Sequence, residues 1–327
     1  MQPHLSGRQR VKFVGKNHCG ENLCSQVQLS PELFDHFQGD TVFDQIFSID
    51  GELFRKFNNR KTLRFVCDGK RYFLKIHRGV GWKEIFKNLV QLRWPVISAG
   101  TEWRAIRRLQ NLGIESMTIA GYGQRDWNPA SRQSFLITEE LENTVSLEHY
   151  CRDWPNSPPP FALKYALIDK IAEIAKRLHE NGVCHRDFYL CHFLVDRLSL
   201  RRPFHSNRLR VFLIDLHRAQ LRQRMNRRWI VKDLAGLFFS SMDIGLSRQD
   251  YFHFMTAYRG KPLRDIMNQE TRFWFRVMQC AIALYRKTFG RSPQCALLSK
   301  TSKDVHSVGK PGTVSASFVN RTLDINR

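Results

Sequence analysis

The sequence contains no pair of cysteines at C-x-x-C spacing: its eight cysteines, at 19, 24, 67, 151, 184, 191, 280 and 295, are scattered through 327 residues. That scatter argues against a disulfide scaffold or a zinc ribbon and for a reducing compartment. His18, Cys19 and Cys24 cluster, as do Cys184, His185, Cys191 and His192, but neither group has the paired spacing of a structural zinc site. No apolar run approaches the roughly 18 residues that span a bilayer. The longest, such as Leu234 to Phe239, are core-sized. The opening Met-Gln-Pro-His-Leu-Ser-Gly-Arg has no apolar stretch behind its basic residue, so it does not read as a secretory signal. The expected location is the cytosol or the cytosolic face of a membrane. Helix-turn-helix, zinc-finger, RNP-type and internal-repeat patterns are all missing.

Acidic residues are also scarce, with 30 Asp+Glu against 52 Lys+Arg, a net charge of +22 and a pI near 10.1. Such a surface attracts polyanions: nucleic acid, an anionic membrane face, phosphorylated sugars or lipids, nucleotide phosphates or an acidic protein. What is present is enough for a core. At 42% hydrophobic and 12% aromatic, the chain excludes wholesale disorder.

The pattern along the chain divides into two halves. Residues 1–27 show no sustained period and read as an N-terminal arm. Phe47 to Ile76 reads as two or three antiparallel strands punctuated at Asp50-Gly51, Asn58-Asn59 and Asp68-Gly69. Alternation puts Tyr72 and Leu74 on one face of the last strand, with Phe73, Lys75 and His77 on the other. A helix is expected from Gly100 to Leu112, stopped by Gly113, with Glu102, Ile106 and Leu109 on one stripe. A carboxylate on a buried stripe requires a partner, since an unpaired buried charge is costly.

Ser134 to Thr138 reads as another strand leading into Glu139-Glu140-Leu141, and the proline-rich Trp154 to Pro160 as an extended connector. A strong helix follows from Phe161 to Glu180, ended by Asn181-Gly182. Beyond it, Leu209 to Leu216 reads as a buried strand, and the segments beginning at Lys232, Phe252 and Arg272 as helices. From Gly290 periodicity fails. The fold expected is α+β with a cleft between two lobes: an N-terminal lobe of residues 28–140, rich in strands with one helix, and a mainly helical C-terminal lobe of 141–290. Residues 291–327 are expected to form a mobile tail.

Two stretches carry chemistry. After the long helix comes Cys184-His185-Arg186-Asp187-Phe188-Tyr189-Leu190-Cys191-His192, and further on an apolar strand ends in a carboxylate, Val211-Phe212-Leu213-Ile214-Asp215-Leu216-His217-Arg218. His-Arg-Asp alone is weak. A helix, a loop carrying an aspartate and a strand ending in a second aspartate, preceded by Lys75 on a strand and Glu102 on a buried helix face, form the catalytic order of a protein-kinase-like fold. Each residue has a plainer reading: a solvated strand-end lysine, a snorkelling glutamate, two turn-forming aspartates. All four in this order are harder to explain that way.

Phosphoryl transfer leaves the protein little covalent work beyond holding phosphates, metal and acceptor in line. On this reading Lys75 neutralises the α/β-phosphates of ATP, Glu102 orients Lys75, Asp215 holds Mg²⁺ and Asp187 accepts the acceptor's hydroxyl proton.

From Leu29 to Phe289 the sequence resembles the bacterial lipopolysaccharide core heptose(I) kinases. The runs that carry the resemblance include Tyr72-Phe73-Leu74-Lys75-Ile76-His77-Arg78-Gly79, His185 to Leu194, Ile214-Asp215-Leu216-His217-Arg218-Ala219-Gln220 and Lys232-Asp233-Leu234-Ala235-Gly236-Leu237-Phe238-Phe239. The resemblance implies ATP-dependent phosphorylation of the first heptose of the lipopolysaccharide inner core by a peripheral protein on the cytosolic face of the inner membrane. It further implies that Glu140 and Leu141 line the nucleotide site and that His185 and Asp233 support the catalytic loop.

The departures from the broader kinase pattern are specific. There is no G-x-G-x-x-G, so a hairpin near Phe47 to Lys56 is expected to cover the phosphates. His192 stands where most kinases place a metal-binding Asn; because Mg²⁺ prefers oxygen and imidazole suits softer ions, direct ligation is the weaker of its two roles, and it is expected instead to bond a metal-bound water or brace Asp187. No Lys follows two residues after Asp187, and Ala-Pro-Glu is absent. These absences favour a sugar over a protein acceptor.

Arg197, Arg201, Arg202, Arg208 and Arg210 precede Asp215, and Arg218, Arg222, Arg224, Arg227 and Arg228 follow it. Among them Arg218, Arg222 and Arg224 are the candidates to grip an anionic acceptor. The expected partners are ATP, the lipopolysaccharide core, the anionic inner membrane and an acidic protein, and not nucleic acid. The alternatives are a kinase for Kdo or for a second heptose, and a non-enzymatic nucleic-acid or membrane-surface binder.

Overall fold

The computed structural model describes residues 14–295 apart from 21–22, 40, 58, 80, 83–97, 127, 129 and 202–203. Residues 1–13 of the expected arm, 296–327 of the expected tail, and Arg202 lie outside the described residues. The chain divides into two compact units, one formed by the residues up to Arg107 with Met117–Glu142, the other by Arg108–Ser116 with the residues from Asn143 onward.

The first unit is built on an antiparallel sheet of seven strands. In chain order its elements are β1 (Val14–Gly20), β2 (Leu23–Leu29), α1 (Pro31–Phe34), α2 (Val42–Ser48), β3 (Glu52–Phe57), β4 (Arg60–Cys67), β5 (Lys70–Arg78), α3 (Gly100–Asn111, whose last residues belong to the second unit), β6 (Ile119–Arg125) and β7 (Gln133–Glu139). The strand order is β1-β2-β6-β7-β5-β4-β3. One face is sealed by Leu33, Ile46, Leu63, Leu74, Ile76, Phe135 and Ile137, all almost wholly buried. Gly123 is dictated by this packing, because a Cβ there would meet the Phe135 ring at 2.3 Å.

Two sequence expectations change here. Residues 14–20 and 23–27, part of the expected arm, form β1 and most of β2. Their signal lies in pairing rather than in a clear period, since β2 completes the sheet against β6, with Leu29 opposite Gly121. Phe47 is not in a hairpin either. It ends α2 and packs into the core, and the hairpin runs instead from β3 to β4, with a bulge at Leu53/Arg55. An apolar segment that short does not distinguish helix from strand by pattern alone.

The second unit contains β8 (Thr144–Ser146), α4 (Leu147–Tyr150), α5 (Phe161–Glu180), β9 (Val183–Cys184), β10 (Phe193–Asp196), β11 (Val211–Leu213), β12 (Gln220–Leu221), α6 (Arg227–Ser240), α7 (Arg248–Arg259) and α8 (Leu263–Phe289). Its two small sheets, β11-β10-β8 and β12-β9, carry the loops between helices. α5 has the limits read from the sequence, and its stripe of Ile168, Ile171, Ala175 and Leu178 is buried. The turn after it holds Gly182, where φ is +72° and a Cβ would lie 1.9 Å from the Arg222 carbonyl oxygen, so only glycine fits. α7 starts with a capping box between Ser247 and Asp250, and the buried Asp250 also accepts from Lys164 Nζ at 2.8 Å.

The first residues of the expected mobile tail dock onto this unit. Cys295 is 5% exposed, and the Arg291 guanidinium stacks over Tyr285, 5.2 Å from its ring centroid.

Candidate active site

Four of the residues singled out by sequence belong to the first unit. β5 lies between β4 and β7, and Lys75 is opposite Thr62 on one side and Leu136 on the other. Alternation turns Leu74 and Ile76 into the core and Lys75 to the other face. There Lys75 Nζ donates to Glu102 Oε1 at 2.6 Å. Glu102, Ile106 and Leu109 of α3 are 2%, 0% and 0% exposed, so the carboxylate does sit on the buried stripe and Lys75 is its partner.

At the end of β7 the Glu140 carboxylate accepts from Arg64 Nη1 at 3.1 Å and from Arg71 Nε. That side chain is committed to two arginines, so any nucleotide contact here falls to the backbone of Glu140 and the half-buried Leu141. The β3–β4 hairpin carries an exposed aromatic. Phe54 is 53% exposed and meets Phe73 edge-on at 5.0 Å, on the face of β5 that bears Lys75. Sequence reading missed Phe54 because hairpin limits depend on strand pairing.

The rest of the set lies in the second unit. The fully buried Asp233 of α6 is a clamp: its two carboxylate oxygens accept from the backbone N–H groups of His185 and Arg186, each at 2.8 Å. Burial raises its pKa, but contacts with His179 and His185 and the backbone donors outweigh that, and the net shift is downward. His185 is held below its ordinary 6.5 by burial and is therefore neutral, and its Nε2 bonds the Ile214 carbonyl oxygen at 3.0 Å. The loop that carries Asp187 is thereby tied to α6 on one side and to the residue after β11 on the other.

Asp187 is 14% exposed and accepts from Arg218 Nη1 through Oδ1 at 2.7 Å. Arg218, read from sequence as an acceptor-binding residue, is thus engaged with the catalytic-base candidate itself. Asp215 has left-handed backbone geometry, φ 60° and ψ 54°, an uncommon state for a non-glycine residue that recurs where a functional site is held under strain.

His192 links the two aspartates. Its Nδ1 bonds the Asp187 carbonyl oxygen at 2.6 Å, which makes Nδ1 the donor, and its Nε2 lies 3.5 Å from Asp215 Oδ2. The second ring nitrogen of His192 and a carboxylate oxygen of Asp215 therefore face each other. That donor set fits a divalent cation, and His192 at the same time braces the Asp187 loop. His217 bonds the other Asp215 oxygen at 2.6 Å. The Asp-Leu-His string contained that signal, since a histidine two residues on can reach back to the carboxylate.

Burial pushes the Cys191 thiol up to about 11 and raises Cys184 as well, so neither cysteine of the loop is a ready nucleophile. Arg222 and Arg224 are exposed, and Arg222 packs near Trp229.

A profile of the lipopolysaccharide kinase (Kdo/WaaP) family matches residues 44–258. The chain belongs to that family.

Within the Kdo/WaaP family, it is 44% identical over 268 residues to "Lipopolysaccharide core heptose(I) kinase WaaP" of Escherichia coli, covering 81% of this chain and 99% of that protein. It is 43% identical over 251 residues to the protein of the same name from Pseudomonas aeruginosa, covering 77% and 92%. The solved structure "WaaP in complex with acyl carrier protein" is 38% identical, covers 79% of this chain and 99% of that one, and superposes with a TM-score of 0.69. The α+β fold expected from the sequence, with a sheet-rich N-terminal part, is therefore the fold observed.

Away from these residues, the second unit contains an almost wholly apolar pocket of about 110 Å³. Leu147, Trp154, Ile168, Leu234, Phe238 and Met278 are among the residues that line it.

Proposed function

We infer that this Kdo/WaaP-family protein transfers the γ-phosphoryl group of ATP to a hydroxyl of the first heptose in the lipopolysaccharide inner core. Lys75, fixed by the buried Glu102, neutralises the α/β-phosphates, and the backbone at Glu140–Leu141 holds the base of the nucleotide. Asp215, with His192 beside it, would hold Mg²⁺, which when bound would supply charge to shield the phosphates. Asp187 Oδ2, left over when Oδ1 is bonded to Arg218, takes the proton of the acceptor hydroxyl. As the sugar oxygen bonds to the γ-phosphorus, the bond from that phosphorus to the β,γ-bridging oxygen breaks and ADP leaves. On this reading residues 28–140 are the nucleotide lobe and residues 141–290 the acceptor lobe.

The observation that carries the reading is His192, whose two ring nitrogens join the Asp187 loop to the Asp215 carboxylate at 2.6 and 3.5 Å. A protein that merely bound polyanions through its +22 charge has no use for that linkage, for a lysine on a buried glutamate or for an aspartate in left-handed geometry. The test is transfer of ³²P from γ-labelled ATP to lipopolysaccharide lacking inner-core phosphate. Wild type is expected to label it, Asp187→Asn to lose at least 10²-fold in rate, and a protein that only binds to label nothing.

The surroundings are part of the proposal. No described helix is long and apolar enough to cross a membrane, and the basic surface suits peripheral contact with the cytosolic face of an anionic inner membrane. The related WaaP was solved with acyl carrier protein. For this chain we take an acidic carrier protein as a stabilising partner, supported by the basic surface and by an apolar pocket of a kind that takes a hydrocarbon chain.

A further inference from the structure

α6 opens with Arg227-Arg228-Trp229-Ile230-Val231-Lys232, behind the capping Asn226, and has no acidic residue in its first turn. Cations at a helix N-terminus oppose the dipole rather than complement it, so this end presents bare positive charge. Around the half-buried Trp229 the charge is concentrated. The Lys232 ammonium lies 4.7 Å from the ring centroid, and the guanidinium carbons of Arg186, Arg222 and Arg228 lie at 5.4, 6.0 and 6.0 Å.

These four cations come from three separate parts of the chain, and the fold fixes their convergence. Arg186 is held in left-handed geometry, φ 72°, by the Asp233 clamp on its N–H. Arg222 is placed by the β9–β12 ladder and by its own N–H, which donates to the Gly182 carbonyl at 2.8 Å. Arg228 and Lys232 sit four residues apart on one face of α6.

Attraction to the indole offsets part of the mutual repulsion, but among the described residues no carboxylate pairs with these cations. Among the described residues none of the four makes an ion pair. The two carboxylates that act on Arg186, Asp187 and Asp233, are already engaged by Arg218 and by the loop N–H groups. Burial, and after it the charge of Arg218, push the Arg186 guanidinium down from its ordinary value against the opposing pull of Asp187 and Asp233.

We propose that Arg186, Arg222, Arg228 and Lys232 around Trp229 form an acid-group subsite, which takes a carboxylate or phosphate carried by the acceptor's sugar chain near the hydroxyl to be phosphorylated. The proposal rests on the kinase reading above and deepens it. Arg186 directly precedes Asp187, so an anion held here places its own molecule beside the catalytic carboxylate. Guanidinium groups hold carboxylate and phosphate through paired hydrogen bonds, and the Lys232 ammonium adds a point charge. Four cations gathered on one ring fit a compact acid group better than the extended acidic face of a protein. The subsite makes acceptor choice depend on an acid group as well as on the reacting hydroxyl.

The test uses the full chain labelled with 5-fluorotryptophan, the Trp229 resonance being assigned by its loss in Trp229→Phe. Titrated with inorganic phosphate at constant ionic strength, wild type is expected to show a saturable Trp229 shift. Arg228→Gln/Lys232→Gln is expected to need at least tenfold more phosphate, and Arg228→Lys to stay within about threefold of wild type. In activity assays the double variant is expected to raise KM for the lipopolysaccharide acceptor at least tenfold while KM for ATP moves less than twofold. Acceptor with its carboxylates methyl-esterified, assayed beside acceptor with its phosphates removed, shows which group is held: the modification that removes it raises KM for wild type but not for the double variant.

A Trp229 resonance insensitive to phosphate, or an acceptor KM indifferent to both substitutions, overturns the proposal. So does loss of binding to an acidic carrier protein with acceptor KM unchanged, which would mark a protein-docking face. Should wild type transfer nothing to lipopolysaccharide, the kinase reading fails, and the phosphate titration still decides whether the cluster holds an acid group.

Discussion

Arg218 Nη1 donates to Asp187 Oδ1 at 2.7 Å, across 31 residues of sequence. Kinases that phosphorylate Ser or Thr often carry a lysine two residues after the catalytic aspartate, where this chain has Tyr189. Here a cation reaches that aspartate from the turn that follows Asp215. On the proposed kinase reading this position would serve two purposes: it would orient Asp187 so that Oδ2 remains for the acceptor, and it would bring positive charge to the side where phosphoryl charge is redistributed.

Arg218→Ala is therefore expected to lower kcat about 10²-fold, as for loss of one preorganised donor, with KM for ATP little changed. Added guanidinium ion should restore part of the rate to Arg218→Ala and none to Asp187→Ala. If Arg218 served only to bind the acceptor, KM for the acceptor would rise instead and guanidinium would do nothing.

The Lys75–Glu102 pair makes a stability prediction. Lys75→Met leaves Glu102, 3% exposed at its side chain, without its cation. The cost should be about 2–3 kcal/mol, below the full buried-pair value because Lys75 is itself 24% exposed. Adding Glu102→Leu should recover most of that stability but not activity. Urea unfolding of the single and double variants, analysed as a double-mutant cycle, checks both.

Acid sensitivity follows from the loop supports. His185 is lowered from 6.5, so the unfolded chain binds its proton first; its contribution is complete above pH 6.5 and declines as pH falls below that value. Asp233, lowered from 3.8, contributes fully above pH 3.8 and loses that contribution as pH falls through its lower folded value. Tm should decline from pH 7 to 4.5 and more steeply below pH 4. Asp233→Asn should lower Tm at neutral pH and flatten the decline below pH 4.

Much of the site was legible in the chain because it rests on local pattern. The i, i+4, i+7 stripe of α3 displayed a carboxylate that needed a cation, and two-residue alternation put Lys75 on the matching face of β5. What was not legible depends on contacts distant in sequence. Arg218 on Asp187, Arg186 on Trp229 and the pairing of β1 and β2 into the sheet leave no periodic trace. Nor does the ring orientation of His192, which is set by a backbone carbonyl five residues before it.

The docking of Arg291 and Cys295 revises the expectation for the tail. A chain ending at Gly290 should lose several degrees of Tm against one ending at Cys295, because only the longer chain fills the buried Cys295 position and keeps Arg291 on Tyr285. Equal melting temperatures for the two chains would show that these contacts contribute nothing.

His192 should reveal itself through metal preference. With Nδ1 fixed as the donor, Nε2 offers an imidazole lone pair beside Asp215, a donor that suits Mn²⁺ better than Mg²⁺. The ratio of Mn²⁺- to Mg²⁺-supported activity should fall in His192→Asn. The nitrogen coupling in the electron spin echo of protein-bound Mn²⁺ should vanish with it, and an unchanged echo would assign His192 to bracing Asp187 alone.

The central claim is the identity of the phosphorylated sugar, and mass spectrometry of core oligosaccharide tests it most directly. Cells that lack this protein are compared with the same cells carrying wild type or Asp187→Asn. The account predicts one phosphate on the first heptose with wild type and none at that position with Asp187→Asn. A phosphate that the wild-type gene restores to Kdo or to the second heptose, or that Asp187→Asn restores equally well, would contradict it.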